Sequence, residues 1–436
     1  MVKDPKGSQG LRDIVQTRLL NDVLKNSCDK WPGWMVLVVD PPGLRVLSSA
    51  VGMYDLMERR VTLVEDLTKK RAPFRDMGAI YLLTPTKQSI DRLLRDWTPS
   101  ENRKEPLYGN AVFLYFLGRL PDNLLAMIKT CKPLLKRVKA LGEVNVDFLT
   151  KEDRAFHFDM KKSFRYLFPH RNTGQPTPVE MVICDKLVTL CATLNEYPHI
   201  RYRSSSPLCT SLANVFHRKM SEFIGGNQKW WYHGDANHTS RGRSTLLLVD
   251  RSDDCLSPLM HEFTYQAMVN DLLPIEEDRI TYKSETIGNG GGEESKSMDK
   301  DVLLNEKDQI WVELRGKHIA DVIQVLSNRI REMVNSSTSQ VAKSKGNDTK
   351  ALSLSQMASA LKALPEYREV MDKLTQHMHL SHQCMDLFNK KGLLDLGEVE
   401  QTLATGKTDE GRVPKMNELV DMVEEQLQSA QDSQIR

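Results

Sequence analysis

Near the N-terminus apolar residues recur at helical spacing. Leu11, Ile14, Val15, Leu19 and Val23 share one face of a helix predicted over Leu11 to Asn26. After the loop Lys30-Trp-Pro-Gly the pattern changes. Trp34 to Asp40 is apolar at successive positions, so both faces of this strand are expected to be buried, as in a parallel sheet. Short apolar runs and helical stripes then alternate. They predict a helix over Leu47 to Met57, strands at Val61 to Val64 and Ala79 to Pro85, and a helix over Lys87 to Trp97. A strand at Ala111 to Phe116 and a helix over Pro121 to Ala140 follow. Strands separated by helices predict a doubly wound α/β domain over residues 1–148.

A second α/β domain is expected over 149–258. It holds helices at Val179 to Leu194 and Ser211 to Ile224, and a strand at Thr245 to Asp250. From 259 to 436 the pattern is mainly helical. Ser284 to Lys300, with its run Gly288-Asn-Gly-Gly-Gly, reads as a surface loop. Lys317 to Met333 carries a helical stripe that the polar stretch Asn335 to Thr349 ends. The stripe resumes at Leu354, Met357, Leu361 and Leu364, is interrupted by Pro365, and continues at Met371, Leu374 and Met378. Two amphipathic helices joined by a polar tip predict a hairpin over 317–390. A last amphipathic helix is expected over Lys415 to Gln431.

Composition changes this picture little. The 436 residues are 40% hydrophobic and 27% charged, as in globular proteins, and the length suggests two or three domains. A formal net charge of +2 gives no global attraction to nucleic acid. Seven scattered cysteines without a CxxC suggest free thiols in a reducing, cytoplasmic setting. No apolar run approaches the roughly 20 residues of a membrane span, and the polar start shows no signal peptide.

Candidate chemistry is sparse. Gly288 to Gly292 lacks the Gly-Lys-Ser/Thr of a phosphate loop. His377 and Cys384 fall on one helical face and His379 and His382 on another, so a solvated helical surface is expected there, not a metal site. His261-Glu262 lacks the second histidine of a zinc-protease helix, since Tyr265 holds that place. Asp250, Asp253 and Asp254 follow a strand end and leave a metal-dependent hydrolase as a remote alternative. No histidine or nucleophile stands nearby, so a salt-bridged strand terminator is the plainer reading. Lys129, Lys132, Lys136, Arg137 and Lys139 could meet phosphate head groups or an acidic peptide, but such a run is usually a solvated face. No aromatics interleave with it, which argues against single-stranded nucleic acid. With no catalytic constellation and no cofactor or metal implied, the residues favour a binding protein over an enzyme.

Several segments resemble one family. Trp34-Met-Val-Leu-Val-Val-Asp-Pro-Pro-Gly-Leu-Arg-Val-Leu-Ser-Ser49, Thr62 to Pro73, Ala79 to Pro85, Leu190 to Arg203 and His261 to Ile275 are similar, in order, to SM (Sec/Munc-like) proteins. These are syntaxin-binding regulators of SNARE-driven membrane fusion, and the likeness is nearest to their exocytic branch. The resemblance implies an arch of three domains that clasps syntaxin in a cavity, with peripheral recruitment to the plasma membrane or vesicles through partners. It implies syntaxin-cavity positions at Asp40, Leu44, Arg45, Glu65 and Lys69, while a basic family position is Gly52 here. It implies a pocket for a syntaxin N-terminal peptide at Leu125, Val138 and Glu143, with leucine at 125 where the family has phenylalanine. On the hairpin it implies vesicle-SNARE contacts at Ile330 and Met378 and a bend at Pro365, with the assembled SNARE bundle as a further partner. The family's size of roughly 600 residues implies that this chain is C-terminally truncated. Its second and third domains would then be incomplete, and strand Thr245 to Val249 would lack sheet neighbours. The alternative is a trafficking scaffold for another SNARE or a tether.

Overall fold

Five short strands form one sheet in the computed structural model of this chain, with valine, isoleucine, tyrosine and phenylalanine concentrated in the three inner ones. The structure describes residues 10–99, 104–168, 175–227, 242–276, 278–285, 297–343, 365–408 and 410–435. It divides into two compact units, Val2–Asp253 and Asp254–Arg436.

In the first unit the strands are β1 (Met35–Val39), β2 (Val61–Asp66), β3 (Gly78–Leu83), β4 (Val112–Phe116) and β5 (Val138–Glu143), in the order β2-β1-β3-β4-β5, with every neighbouring pair parallel. The period of two splits their side chains. Met35, Leu37, Val39, Ile80, Leu82 and Phe113 enter one core with Leu11, Val15, Leu19 and Val46. Val36, Val38, Tyr81, Leu83, Leu114 and Phe116 enter the other with Ile90, Leu93, Trp97, Leu124 and Ile128. Helices therefore cover both faces, which is why β1 reads as an unbroken apolar run. The first face carries α1 (Leu11–Arg18), which passes through a π-helical stretch at Leu19–Lys25 into α2 (Asn26–Lys30), and α3 (Pro41–Ala50). The second carries α5 (Lys87–Trp97), α6 (Asp122–Thr130) and α7 (Lys132–Leu135).

Two helices differ from the sequence expectation. The stretch read as one helix over Leu47 to Met57 is α3, beginning at Pro41, and a separate α4 (Met53–Glu58). Asp40 caps α3 and Pro41 stands at its first position, while Val51 turns extended and ends it. The helix read over Pro121 to Ala140 stops much earlier. Cys131 leaves helical geometry, Pro133 has no amide to donate, and Val138 to Glu143 alternate between half-buried and exposed as an edge strand.

Beyond the sheet come a hairpin of β6 (Leu149–Glu152) and β7 (Ala155–His157), then α8 (Phe164–Leu167) and α9 (Pro178–Leu194). β8 (His199–Tyr202), α10 (Pro207–Gly226) and β9 (Thr245–Leu248) complete the unit. α9 and α10 share a core of Cys184, Leu187, Val215, Phe216 and Met220. Against expectation, β9 has a neighbour: it pairs in parallel with β8. Leu247 is nevertheless 64% exposed.

The second unit is not purely helical. β10 (Ile275–Glu276), β11 (Arg279–Glu285) and β12 (Ser297–Leu303) form an antiparallel sheet, so both ends of the segment read as a loop are strand. Gly288 to Gly292 lie outside the described residues. The helices are α11 (Tyr265–Leu272), α12 (Gln309–Leu314), α13 (Ile319–Lys343), α14 (Pro365–Lys390), α15 (Leu393–Thr405) and α16 (Met416–Ile435). α13 runs on through Asn335 to Lys343, past its expected end, because a polar stretch without proline or glycine does not stop a helix. The stripe from Leu354 to Leu364 lies outside the described residues. Pro365 is the first residue of α14, a position where its missing amide breaks no helical bond. α13 and α14 pack around Val322, Leu326, Leu374 and Leu380. Among the described residues no helix is long and apolar enough to cross a membrane.

Candidate functional site

In the strand order β2-β1-β3-β4-β5 the chain leaves β1 and β3 toward opposite faces, and a crevice opens at their carboxyl ends. Asp40 sits there. One carboxylate oxygen accepts the Gly43 amide at 2.9 Å, and the other accepts the Thr84 amide at 2.8 Å and the Ser89 hydroxyl at 2.7 Å. The side chain thus caps α3 and ties the β1 loop to the β3 loop. Gly43 is required, since a Cβ there would lie 2.6 Å from the Leu82 carbonyl oxygen.

Beside this clasp is a cleft of about 690 Å³, lined by Pro42, Arg45, Thr84 to Thr86 and Gly118 from the sheet's carboxyl edge and by Val182, Val188 and Phe223 from α9 and α10. Phe148, Phe158 and Met160 add apolar surface. Each of its four cations has an acidic partner, and Asp122 adds one further negative charge. Arg45 Nε meets Asp159 at 2.6 Å, Lys186 meets Asp147 at 2.6 Å, Lys219 meets Asp185, and Arg119 lies 3.8 Å from Glu222. Such a wall can exchange ion-pair partners with a polar, partly helical surface. Among the described residues that line the cleft, no nucleophile stands next to a base.

The positions implied for the syntaxin cavity gather at one sheet edge, but they are not equivalent. Asp40 is 3% exposed and its carboxylate is fully engaged within the chain, so it positions the site and does not face outward. Leu44 and Arg45 project from α3, and Arg45 is half-exposed. Glu65 accepts the Tyr108 hydroxyl at 2.6 Å. Burial, then that hydrogen bond, raises the tyrosine pKa well above its ordinary value. Lys69 is exposed on the loop after β2. That loop is pinned by Arg71, which forks onto Asp96 at 2.8 and 2.9 Å, while Tyr81 donates to the same carboxylate.

Of the peptide-pocket positions, Leu125 and Val138 are half-buried against the sheet's second core. Glu143 accepts the Leu120 amide at 2.8 Å. Val138 and Glu143 stand at the two ends of β5, not on a helix. In the second unit Ile330 and Met378 are half-buried in its core.

The cluster expected on a solvated helical face is largely buried. His377 and Cys384 are inside. His377 Nε2 donates to Asp308 at 3.2 Å, its Nδ1 accepts from the Tyr265 hydroxyl at 3.0 Å, and its ring stacks on Trp311. Burial opposes ionisation of Asp308, but the His377 hydrogen bond and the amides it caps outweigh that and lower its pKa. Burial pushes the Cys384 thiol up to about 12, so it stays protonated. Of the cluster, His382 alone is exposed. Among the described residues no group of three or more His, Cys, Asp or Glu is arranged to hold a metal ion. Asp250 accepts from Ser206 and Ser252, Asp253 pairs with Arg203 at 2.6 Å, and Asp254 caps the next turn, as suits a strand terminator.

Sequence reasoning missed Asp147, Asp159 and Lys186, whose partners are distant in the chain and leave no local signal. It also missed Arg71 and Asp96.

A profile described as the Sec1 family matches residues 35–436. Among curated relatives, "Protein transport protein sec1" of Dictyostelium discoideum is 36% identical over 406 residues, covering 93% of this chain and 64% of its own length. "SNARE-interacting protein KEULE" of Arabidopsis thaliana is 31% identical over 436 residues, covering 98% and 63%. The chain therefore spans a little under two thirds of these relatives. The Unc18–syntaxin 1 complex from Monosiga brevicollis aligns with a TM-score of 0.78 at 28% identity, over 96% of this chain and 69% of the matched one. The SM protein Vps45 in complex with the Qa SNARE Tlg2 shares the fold, with a TM-score of 0.69 at 20% identity over 96% and 66%.

Proposed function

Because the chain belongs to the Sec1 family, we propose that it binds a syntaxin-type SNARE and regulates SNARE assembly in vesicle docking and exocytosis, without catalysing a reaction. The observation that carries this reading is the cleft at the sheet's carboxyl edge, where Arg45 and its neighbours hold paired charges over an apolar floor. A helical partner that brings a carboxylate can take Arg45 from Asp159, and the guanidinium can offer it a forked, charge-assisted contact in place of the one lost. Regulation then follows from unequal affinity for different conformations of the partner. The relatives' names and the neighbouring Unc18–syntaxin 1 complex support this choice of partner.

We extend the proposal to the other implied surfaces. Leu44, Glu65 and Lys69 add to the cavity, and Leu125, Val138 and Glu143 take the syntaxin N-terminal peptide. α13 and α14, with Ile330 and Met378, engage the vesicle SNARE and the assembled bundle. Membrane recruitment is peripheral and runs through these partners. The decisive test is a pull-down with a syntaxin cytoplasmic region, comparing wild type with Arg45→Glu. The substitution sets two carboxylates together where a 2.6 Å ion pair stood, and binding should fall on the order of tenfold or more. A folded wild-type protein that retains no syntaxin, but retains another SNARE or a tether, overturns the assignment.

A further inference from the structure

We propose that residues 161–168 form a contact patch for anionic phospholipid, independent of the SNARE-binding surfaces. Lys161 and Lys162 form a turn that leads into α8, and Phe168 follows its end. Phe164, Tyr166 and Phe168 are 65%, 58% and 53% exposed. Phe164 and Phe168, four residues apart, stack with ring centroids 5.7 Å apart at 21°, which fixes an aromatic face turned to solvent. Lys161, Lys162 and Arg165 are exposed beside them, and the segment carries no acidic residue.

Exposed apolar side chains scattered singly are ordinary on a soluble surface. Three large aromatics within five residues, framed by three cations, are not. Aromatic rings with a polar neighbourhood settle at the water–lipid boundary, and lysine and arginine complement anionic head groups. An acidic peptide would share the charge, but peptide recognition needs concave walls for the side chains it reads. None of the eight side chains lines the 690 Å³ cleft, whose lining includes Met160 just before the segment and resumes at Val182 after it. The rings project, as insertion into a lipid surface requires. The patch would hold this wall of the cleft close to a bilayer.

The test is sedimentation of the full chain with vesicles of phosphatidylcholine alone or with about one third phosphatidylserine. Wild type should bind the anionic vesicles at least roughly tenfold more tightly, and salt should weaken the binding. Each basic residue near an anionic leaflet contributes roughly fivefold, so Lys161→Glu/Lys162→Glu should lose about thirtyfold or more. Phe164→Ser/Phe168→Ser should lose about tenfold at unchanged charge. The replaced rings are more than half exposed and both lysines are exposed, so both variants should keep a melting temperature close to the wild-type value. In Phe164→Trp, added anionic vesicles carrying brominated lipid should quench emission beyond the wild-type response. Equal sedimentation of wild type and both variants, no sedimentation of wild type, absence of that extra quenching, or capture by a glutamate-rich peptide with no vesicle binding would each overturn the proposal.

Discussion

Removing the carboxylate of Asp40 should destabilise the first unit more than any change in exposed charge. Asp40→Ala strips the acceptor from the Gly43 and Thr84 amides and the Ser89 hydroxyl in a place that is 3% exposed. An unsatisfied buried donor costs about 1–3 kcal/mol, and a lost helix cap about 1 kcal/mol. The Ser89 hydroxyl can turn to another acceptor, and removing a buried charge returns its desolvation cost. The net loss is then about 3–5 kcal/mol, a fall of about 10 °C in melting temperature for a unit of this size. Asp40→Asn keeps the shape but turns an N–H₂ toward at least one donor, so it should fall between alanine and wild type. The assay is urea unfolding followed by far-UV circular dichroism, with syntaxin pull-down on material kept well below its melting point. Because the carboxylate faces inward, Asp40→Asn should weaken partner binding only as far as it unfolds the protein. An unchanged unfolding midpoint together with abolished binding would refute this reasoning and make Asp40 a direct contact.

Asp96→Ala leaves the Arg71 guanidinium buried without its forked partner, at 6% side-chain exposure for both groups. It should cost about 3–5 kcal/mol in urea unfolding, and the pair replaced together by leucine and methionine should recover most of that. In the second unit, the lowered pKa of Asp308 makes its contact with His377 a source of stability at neutral pH. That stability is present above the unfolded carboxyl pKa of about 4 and is lost as the pH falls through the lower folded value. Asp308→Asn should flatten this acid limb in melting scans between about pH 5 and 2. An unaltered limb would place the acid-sensitive group elsewhere.

The parallel sheet was readable because burial on both faces leaves an apolar run with no polar alternation, as in Met35 to Val39 and Gly78 to Leu83. β5 was not readable. It is an edge strand whose outward positions include Lys139 and Glu143, and Lys139 continued the run of basic residues from the helix before it. β11 and β12 escaped for a similar reason, since alternating charged residues resemble a loop when no buried face is apparent. At the site, Arg45 and Asp40 lay on a segment whose order and spacing carried a family likeness. The division of labour between them was invisible. Only the fold brings Thr84 and Ser89 to Asp40, and Asp159 to Arg45. His377 was misjudged because helical spacing assigns a face but not the depth of what packs on it, and Tyr265 and Asp308 come from distant stretches.

The matched charges around the cleft bear on how fast a partner can arrive. Each positive group there has a negative one within reach and Asp122 leaves a single charge in excess, so little field extends beyond a Debye length of about 8 Å. A helix drifting in from solution feels little pull until it touches. Its capture should then proceed at an unsteered rate of about 10⁵–10⁶ per molar per second, nearly indifferent to salt, and selectivity among rival helices should reside in how slowly each one leaves.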